Sequence, residues 1–567
     1  MRWTSQTKAH PETVKHLQEV LQVDYAIAYL LAQRGIPNFD EAKNFFRPNL
    51  EELHSPWLMK DMDLAVNRIL QAIENNEKIM IYGDYDVDGT TSVALMDSFF
   101  TQFYQNLVLY IPDRYAEGYG VSYQGIDFAS AQGVSLIIAL DCGIKAIDKV
   151  AYAKEKNIDF VICDHHRPGE KIPDAVAVLD PKRNDCKYPY KELCGCGVGF
   201  KLAQAIQEKR GKDFEDLLPL LDLVATAIGS DIVPITGENR ILASYGLQLL
   251  NTRPRAGFKA IIAQSKKKEF TITDVVFIIG PRINAAGRMK HALHAVELLI
   301  ENDEEKALKM AKDIELFNNE RRTADKSITQ EALLQIEENQ EQKRFTSVVY
   351  QENWHKGVIG IVASRLTETY YRPTLVFTKS GEKLAASARS VKGFDVYNAL
   401  EESAEFIEQF GGHKYAAGLT LKEENYYAFK EKFEEVVKEQ IDPQLLEPEL
   451  VYDLSIDLTD ITPKFFRILK QFGPFGPGNL SPNFLIRNLK DTGYAKAVGK
   501  EQDHLKCTLF QDQTGPRLGG IGFGLGDQIK LLSQQKPVDV ICCLDENEWN
   551  GMTSIQLRIK DMRPAVN

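Results

Sequence analysis

Three aspartates stand at alternate positions in IYGDYDVDGTTS, at Asp84, Asp86 and Asp88, with Gly89 behind them. Carboxylates at that spacing can hold a hard cation, and D-x-D-x-D-G is how a calcium-binding EF-hand loop opens. Such a loop closes on a bidentate Glu at its twelfth position, and counting from Asp84 that position is Leu95. The upstream run KIMIY also reads as a buried strand rather than an amphipathic helix. Calcium is a poor partner, and the carboxylates need another.

More acids and imidazoles follow at Asp141, at Asp164-His165-His166 and at Asp231 in ATAIGSDIVP. Carboxylates suit Mn2+ or Mg2+, with Mn2+ better served where histidine joins the oxygens. Two such ions about 3.5–4 Å apart can activate water and stabilise the leaving oxygen of a phosphodiester. Any one of these acids alone is explained by a helix cap or a solvated turn. Gathered in one place they would repel one another without cations.

The elements that must gather them are legible between Asp61 and about Ile300. Compact apolar runs, KIMIY, LVLYI, SLIIALD, FVICD and AVAVLD, alternate with helix-like segments such as IDKVAYAKEK. That alternation predicts a parallel α/β sheet. Three of the runs end on acidic clusters, GDYDVDG, DCG and DHH. Ligands of open α/β sheets bind beyond the carboxyl ends of strands, so these acids should converge.

Around that unit the texture changes. Residues 1–60 carry helical spacing with a glycine stop, and 301–342 are rich in Glu, Lys and Leu without Pro or Gly, one long helix or two. A second α/β region occupies 343–445, with Gly-rich turns that include FGGHKYAAG. From 446 to 567 short alternating runs and the turn signal Asn550-Gly551 predict a small β-barrel of OB type.

Composition bounds the rest. A chain of 567 residues with ordinary apolar and charged content has room for several domains. No apolar run spans a bilayer and the first residues carry no secretory pattern, so the expected address is cytoplasmic with no membrane partner. None of the eight cysteines forms a C-x-x-C pair, which argues against a zinc ribbon and for a reducing compartment. A net charge of −12 argues against a general nucleic-acid coat while leaving room for a local basic groove.

GDYDVDG, Asp141-Cys142-Gly143, the DHH of 164–166 and Ser230-Asp231 follow, in order, the four motifs of the DHH phosphoesterase superfamily. Gly411-Gly412-His413 matches the GGH of the DHH-associated domain. GPRINAAGRM (280–289), NWHKGVIGIVASRL (353–366) and SARSVKGFD (387–395), with the terminal barrel, resemble the branch of bacterial single-stranded-DNA 5′→3′ exonucleases. The resemblance implies a DHH domain at 61–300, a connecting helix, a DHH-associated domain and an OB-like domain. It implies two ions, Mn2+ or Mg2+, on Asp86, Asp88, Asp141, His165 and Asp231, with Asp84 and His166 beside them and Asp164 orienting. Nucleoside 5′-monophosphates would leave stepwise from a single strand.

Arg282, Asn284 and Arg288 offer two guanidinium forks and an amide for phosphate. By the same resemblance Ser387, Arg389 and Arg114 form a pocket for the 5′ end, and His355 and His413 stand near the cleft. Tyr115, Tyr119 and Trp354 could stack bases, and Lys506, Arg558 and Lys560 could meet backbone from the barrel. A helicase and a single-strand-binding protein are the implied partners. Two other readings share these residues: a phosphodiesterase for oligonucleotides or cyclic dinucleotides, and a non-catalytic DNA-binding scaffold of the same fold.

Overall fold

The computed structural model describes residues 1–565 apart from Gln535 and Asn550. At its centre a five-stranded sheet runs in the order Leu107–Tyr110, Lys78–Gly83, Val134–Leu140, Asp159–Cys163, Ala177–Leu179. All its pairings are parallel. Alternate side chains of each strand serve opposite faces. Ile79, Ile81, Leu136 and Ile138 enter one core, and Met80, Tyr82, Ile137 and Ala139 the other. Burial on both faces is why these strands read as unbroken apolar runs. The chain leaves Lys78–Gly83 toward one edge and returns to Val134–Leu140 on its other side, so the strand order reverses between these two neighbours. That switch point is where an open α/β sheet leaves a crevice.

The segment expected as one or two helices is a single helix of 35 residues, Glu304–Glu338. Its first half gives Ala307, Ala311 and Ile314 to the core of the parallel sheet. Its second half gives Ile328, Ala332 and Ile336 to a core shared with the helix Ile359–Tyr370. One rod is thus built into two domains. The second domain carries a mixed five-stranded sheet, parallel only between Ser347–Tyr350 and Thr374–Ser380. FGGHKYAAG, expected as turns, is instead an antiparallel hairpin of Gln409–His413 with Ala416–Lys422.

The C-terminal strands close into a barrel, because Phe484–Asp491 pairs both with Val538–Trp549 and with His504–Phe510. Asn550 of the expected Asn550-Gly551 turn lies outside the described residues, and the flanking strands pair antiparallel from Trp549↔Met552 onward. The N-terminal helices, expected as a unit of their own, share one apolar core with this barrel. Val14, Leu17, Ile27 and Leu31 pack with Phe484, Val540 and Leu557. Arg2–Ser5 also forms a parallel pair with Glu449–Tyr452, just ahead of the barrel. Among the described residues no helix is long and apolar enough to cross a membrane.

Candidate active site

Asp84 follows the strand Lys78–Gly83, and Asp86 caps the helix Val87–Phe100 by accepting from Gly89 N at 3.1 Å. The turn is tight: a Cβ on Gly89 would fall 2.3 Å from Asp84 O. Asp88, in the first turn of that helix, is fixed from across the site. Its two oxygens accept from Gly195 N at 2.6 Å and Cys196 N at 2.7 Å, at the start of the helix Gly195–Lys209. Amides at a helix N-terminus are unpaired donors that favour a carboxylate. Gly195 is required there, because a Cβ would lie 2.5 Å from Asp141 Cβ.

Asp141 keeps its amide in the sheet, donating to Cys163 O at 2.8 Å, and then turns out with φ +59. Asp tolerates this left-handed region better than most residues. Asp164 does not face the other acids. Its carboxylate accepts from His165 N, His166 N, Ile144 N and His166 Nδ1 at 2.7, 3.1, 2.9 and 2.8 Å. It folds the two histidines back over the strand ends. Asp231 terminates the helix Leu221–Ser230.

These pieces meet at His165. Its Nε2 lies 3.2 Å from Asp141 Oδ1, 3.5 Å from Asp231 Oδ2 and 3.7 Å from Asp88 Oδ2. Two overlapping groups, Asp88/His165/Asp231 and Asp141/His165/His166, bring their donor atoms within 4.8 Å of one another. Asp141 Oδ1, Asp84 Oδ2 and both His165 nitrogens are buried without a hydrogen-bond partner. Buried polar atoms are rarely left so, and oxygen with imidazole is the donor set of Mn2+ or Mg2+.

The electrostatics agree. Burial first, and then the Asp86 charge, push the carboxyls of Asp84 and Asp88 up to about 8 and about 7. Burial and Asp88 raise Asp231 to about 8, and burial with four neighbouring aspartates raises Asp141 well above its ordinary range. Burial and the adjacent His166 hold His165 down at about 3, which keeps it neutral and available as a donor. Burial opposes charge on His166, but its hydrogen bond with Asp164 and the surrounding acids carry it up to about 9. An excess of buried negative charge with unpartnered oxygens fits divalent cations.

Beside the acids lies a basic cluster. The Arg114 guanidinium sits 3.8 Å above the Tyr85 ring and donates to Gly287 O at 3.2 Å. Arg288 donates to Gly357 O at 2.7 Å and is pushed down to about 10 by burial, with Arg114, Arg321 and Arg389 adding like charge. Arg389 donates to Ser387 Oγ at 3.0 Å, and burial lowers it too. Among the described residues Arg114, Arg288, Arg321 and Arg389 form no ion pair within 4.0 Å with a carboxylate. Such a cluster calls for an external anion.

Not every expected contact joins it. Arg282 is ion-paired through Nε with Glu315 at 2.7 Å and donates from Nη1 to Ile278 O at 2.8 Å, so its charge is already met within the chain. Asn284 Oδ1 is buried and unpartnered. His355 accepts from Gly357 N at 3.1 Å and stands edge-on to Tyr115, at the rim of the cluster. His413 ends the exposed hairpin strand, opposite Ala416, which is itself opposite Arg389, and accepts from Tyr415 N at 3.4 Å. Trp354 is buried with its Nε1 on Glu331 at 2.8 Å, so it anchors the connecting helix rather than stacking bases. The Tyr119 hydroxyl donates to Asp141 O at 3.2 Å and lies 3.1 Å from His166 Nε2, beside the clustered acids. Lys506 and Arg558 lie on barrel strands, with Arg558 5.5 Å from the Phe523 ring.

Three groups escaped the sequence reading. The amides of Gly195 and Cys196 were signalled only by the glycines of CGCG, and Arg321 was hidden in a charge-rich helix. Arg321 bonds Asn318 Oδ1 at 2.6 Å and keeps a buried Nε without a partner.

Residues 78–228 match the family described as DHH family, N-terminal domain, residues 342–439 the DHHA1 domain and residues 452–561 the RecJ OB domain. The chain is 36% identical to the single-stranded-DNA-specific exonuclease RecJ of Bacillus subtilis (strain 168), over 99% of this chain and 70% of that protein. It is 33% identical to the protein of the same description from Dickeya dadantii (strain 3937), with 100% of both chains covered. The crystal structure of RecJ in complex with Mn2+ from Thermus thermophilus superposes with TM-score 0.85 at 26% identity, covering 100% of this chain and 80% of that one.

Proposed function

The chain belongs to the RecJ family of metal-dependent single-stranded-DNA-specific exonucleases, and from that premise we propose the polarity, products and ion count of its reaction. It degrades a single strand from the 5′ end, releases nucleoside 5′-monophosphates and works with two divalent ions. The observation that carries this reading is the convergence of Asp88, Asp141 and Asp231 on His165, with buried donor atoms left unpartnered.

Asp86, Asp88, Asp141, His165 and Asp231 would hold the ions, with Asp84 and His166 beside them. Divalent ions bound there would activate water and neutralise the charge that builds on the phosphate and the departing oxygen. The chain's own residues do the rest. Gly195 and Cys196 amides aim the Asp88 carboxylate, and Asp164 sets both histidines. His166, held through Nδ1 by Asp164, keeps its Nε2 beside the Tyr119 hydroxyl at the exposed side of the acids.

Arg389 with Ser387, and Arg114 and Arg288 beside them, would take the 5′-terminal phosphate. Arginine forks match phosphate oxygens bidentately, so a strand end is gripped at a fixed distance from the acids. That distance, rather than base identity, would determine which bond is cut. An enzyme of this kind needs unpaired 5′ ends, so a helicase that opens duplex and a single-strand-binding protein are the partners we propose, in the cytoplasm where such DNA is found.

The test is a long single strand labelled at one end or the other, digested with Mn2+, with Mg2+ and with chelator. Early release of the 5′ label as mononucleotide, abolished by chelator, is expected. Early release of the 3′ label would refute the polarity. Cleavage confined to dinucleotides would turn the reading toward a small-substrate phosphodiesterase.

A further inference from the structure

The barrel's loop GPFGPGN (473–479) is docked on the segment that follows Asp231. Ile235 N donates to Pro477 O at 2.7 Å. A Cβ on Gly476 would meet Ile235 Cγ1 at 2.5 Å, and one on Gly478, at φ +73, would meet Thr236 Cγ2 at 3.1 Å. The barrel thus lies backbone-to-chain against Pro234–Thr236, and only glycine permits the approach.

Arg240, one turn further on and 5% exposed, reinforces the joint. Its guanidinium donates to Phe45 O at 2.9 Å, Phe472 O at 2.9 Å and Gly473 O at 2.7 Å. Those carbonyls end the helix Phe39–Phe46 and follow the helix Pro463–Lys470. A cation is favoured where helix C-termini present unpaired carbonyls. One side chain of the catalytic domain therefore ties down an N-terminal helix and a barrel helix together.

Between Asp231 and this joint lies a strained residue. Ile232 has φ +61, which a β-branched residue avoids, and it is 64% exposed, so no burial of its own side chain holds it there. Strain of this kind persists where the surroundings over-determine it. Upstream the turn is fixed by the helix Leu221–Ser230. Downstream it is fixed by Ile235 on the barrel loop and by Tyr190 and Asn239 on Pro234 O at 3.2 and 3.0 Å.

We propose that the barrel's glycine-rich loop, with Arg240, positions Asp231 in the metal centre through the strained turn at Ile232. The C-terminal domain then governs metal retention and turnover as well as any grip on DNA. The proposal rests on Asp231 being a metal ligand. Pro477, Gly476 and Arg240 are positioning residues, since none touches the reacting atoms.

Mn2+ binding to the full-length protein, followed by electron paramagnetic resonance beside steady-state kinetics, tests it. Gly476→Ala should raise the Mn2+ Kd roughly tenfold or more, the range seen when orienting partners of metal ligands are lost. It should lower kcat more than it raises KM for DNA. In an Ile232→Gly background, where the left-handed turn is unstrained, the same substitution should cost distinctly less. Arg240→Lys, which keeps the charge and loses the fork, should act in the same direction and serves if Gly476→Ala fails to fold. Unchanged Mn2+ affinity with only KM raised would overturn the coupling, as would equal losses in both backgrounds. Asp231→Asn with wild-type Mn2+ affinity would instead remove the ligand reading beneath it, and the proposal with it.

Discussion

Asp164→Ala removes the acceptor of three backbone N–H groups and of the His166 imidazole. A buried donor left unpaired costs about 1–3 kcal/mol, so the three amides of Ile144, His165 and His166 set an unrelaxed cost on the order of 3–9 kcal/mol. Water can reach the exposed edge of His166, and the effect should settle at roughly 3–5 kcal/mol, the upper range for single substitutions. Asp164→Asn keeps one acceptor oxygen and loses the charge, so it should destabilise less and still disturb the histidines. For this variant Mn2+ affinity should fall about 10–100-fold, because the imidazole of His165 is no longer aimed at the acids. Urea unfolding measures the first quantity and Mn2+ titration the second. Asp164→Asn with wild-type Mn2+ affinity and kcat would refute the claim that Asp164 sets the histidines. The carboxyl is buried, yet its bonds to His166 and Ile144 hold it down at about 2. Its contribution is present above the ordinary value of 3.8 and is lost as pH falls through about 2.

Metal-free protein should lose stability as pH rises from about 3.8 through 7–8, because Asp84, Asp88 and Asp231 have folded-state values raised above their unfolded ones. Calorimetry of chelated protein at pH 5.5 and pH 8.5, each with and without Mn2+, checks this; protection by Mn2+ that failed to grow with pH would count against it. Asp141→Ala should abolish hydrolysis and spare much of the DNA binding, read by digestion and by fluorescence anisotropy of a labelled strand. Arg389→Ala should weaken binding of a 5′-phosphorylated strand and lower the slope of log K against log salt by about 1, with Mn2+ affinity unchanged.

The acids were legible because a parallel sheet buried on both faces writes its strands as apolar runs and leaves its polar residues at their ends. KIMIY before Asp84, SLIIAL before Asp141 and FVIC before Asp164 all follow that rule. The GGH hairpin was not legible: Gly411-Gly412 and Ala416-Ala417-Gly418 lack the branched side chains that mark a strand. Arg282 and Arg288 look alike in GPRINAAGRM, and only the position of Glu315 on the connecting helix separates a paired arginine from an unpaired one. Trp354 was indistinguishable from a stacking residue until Glu331 stood beside its ring nitrogen. The last two facts depend on residues distant in sequence, which local pattern does not carry.

The apolar seam between the N-terminal helices and the barrel has a bearing on how the chain is made. Val14, Leu17, Ile27 and Leu31 emerge from the ribosome hundreds of residues ahead of Phe484, Val540 and Leu557, the surfaces that cover them. During that interval the early helices must stay unpartnered or be shielded by a chaperone, while the parallel sheet behind them folds on its own core. A barrel produced without residues 1–46 would bare the opposite half of the same seam and should aggregate.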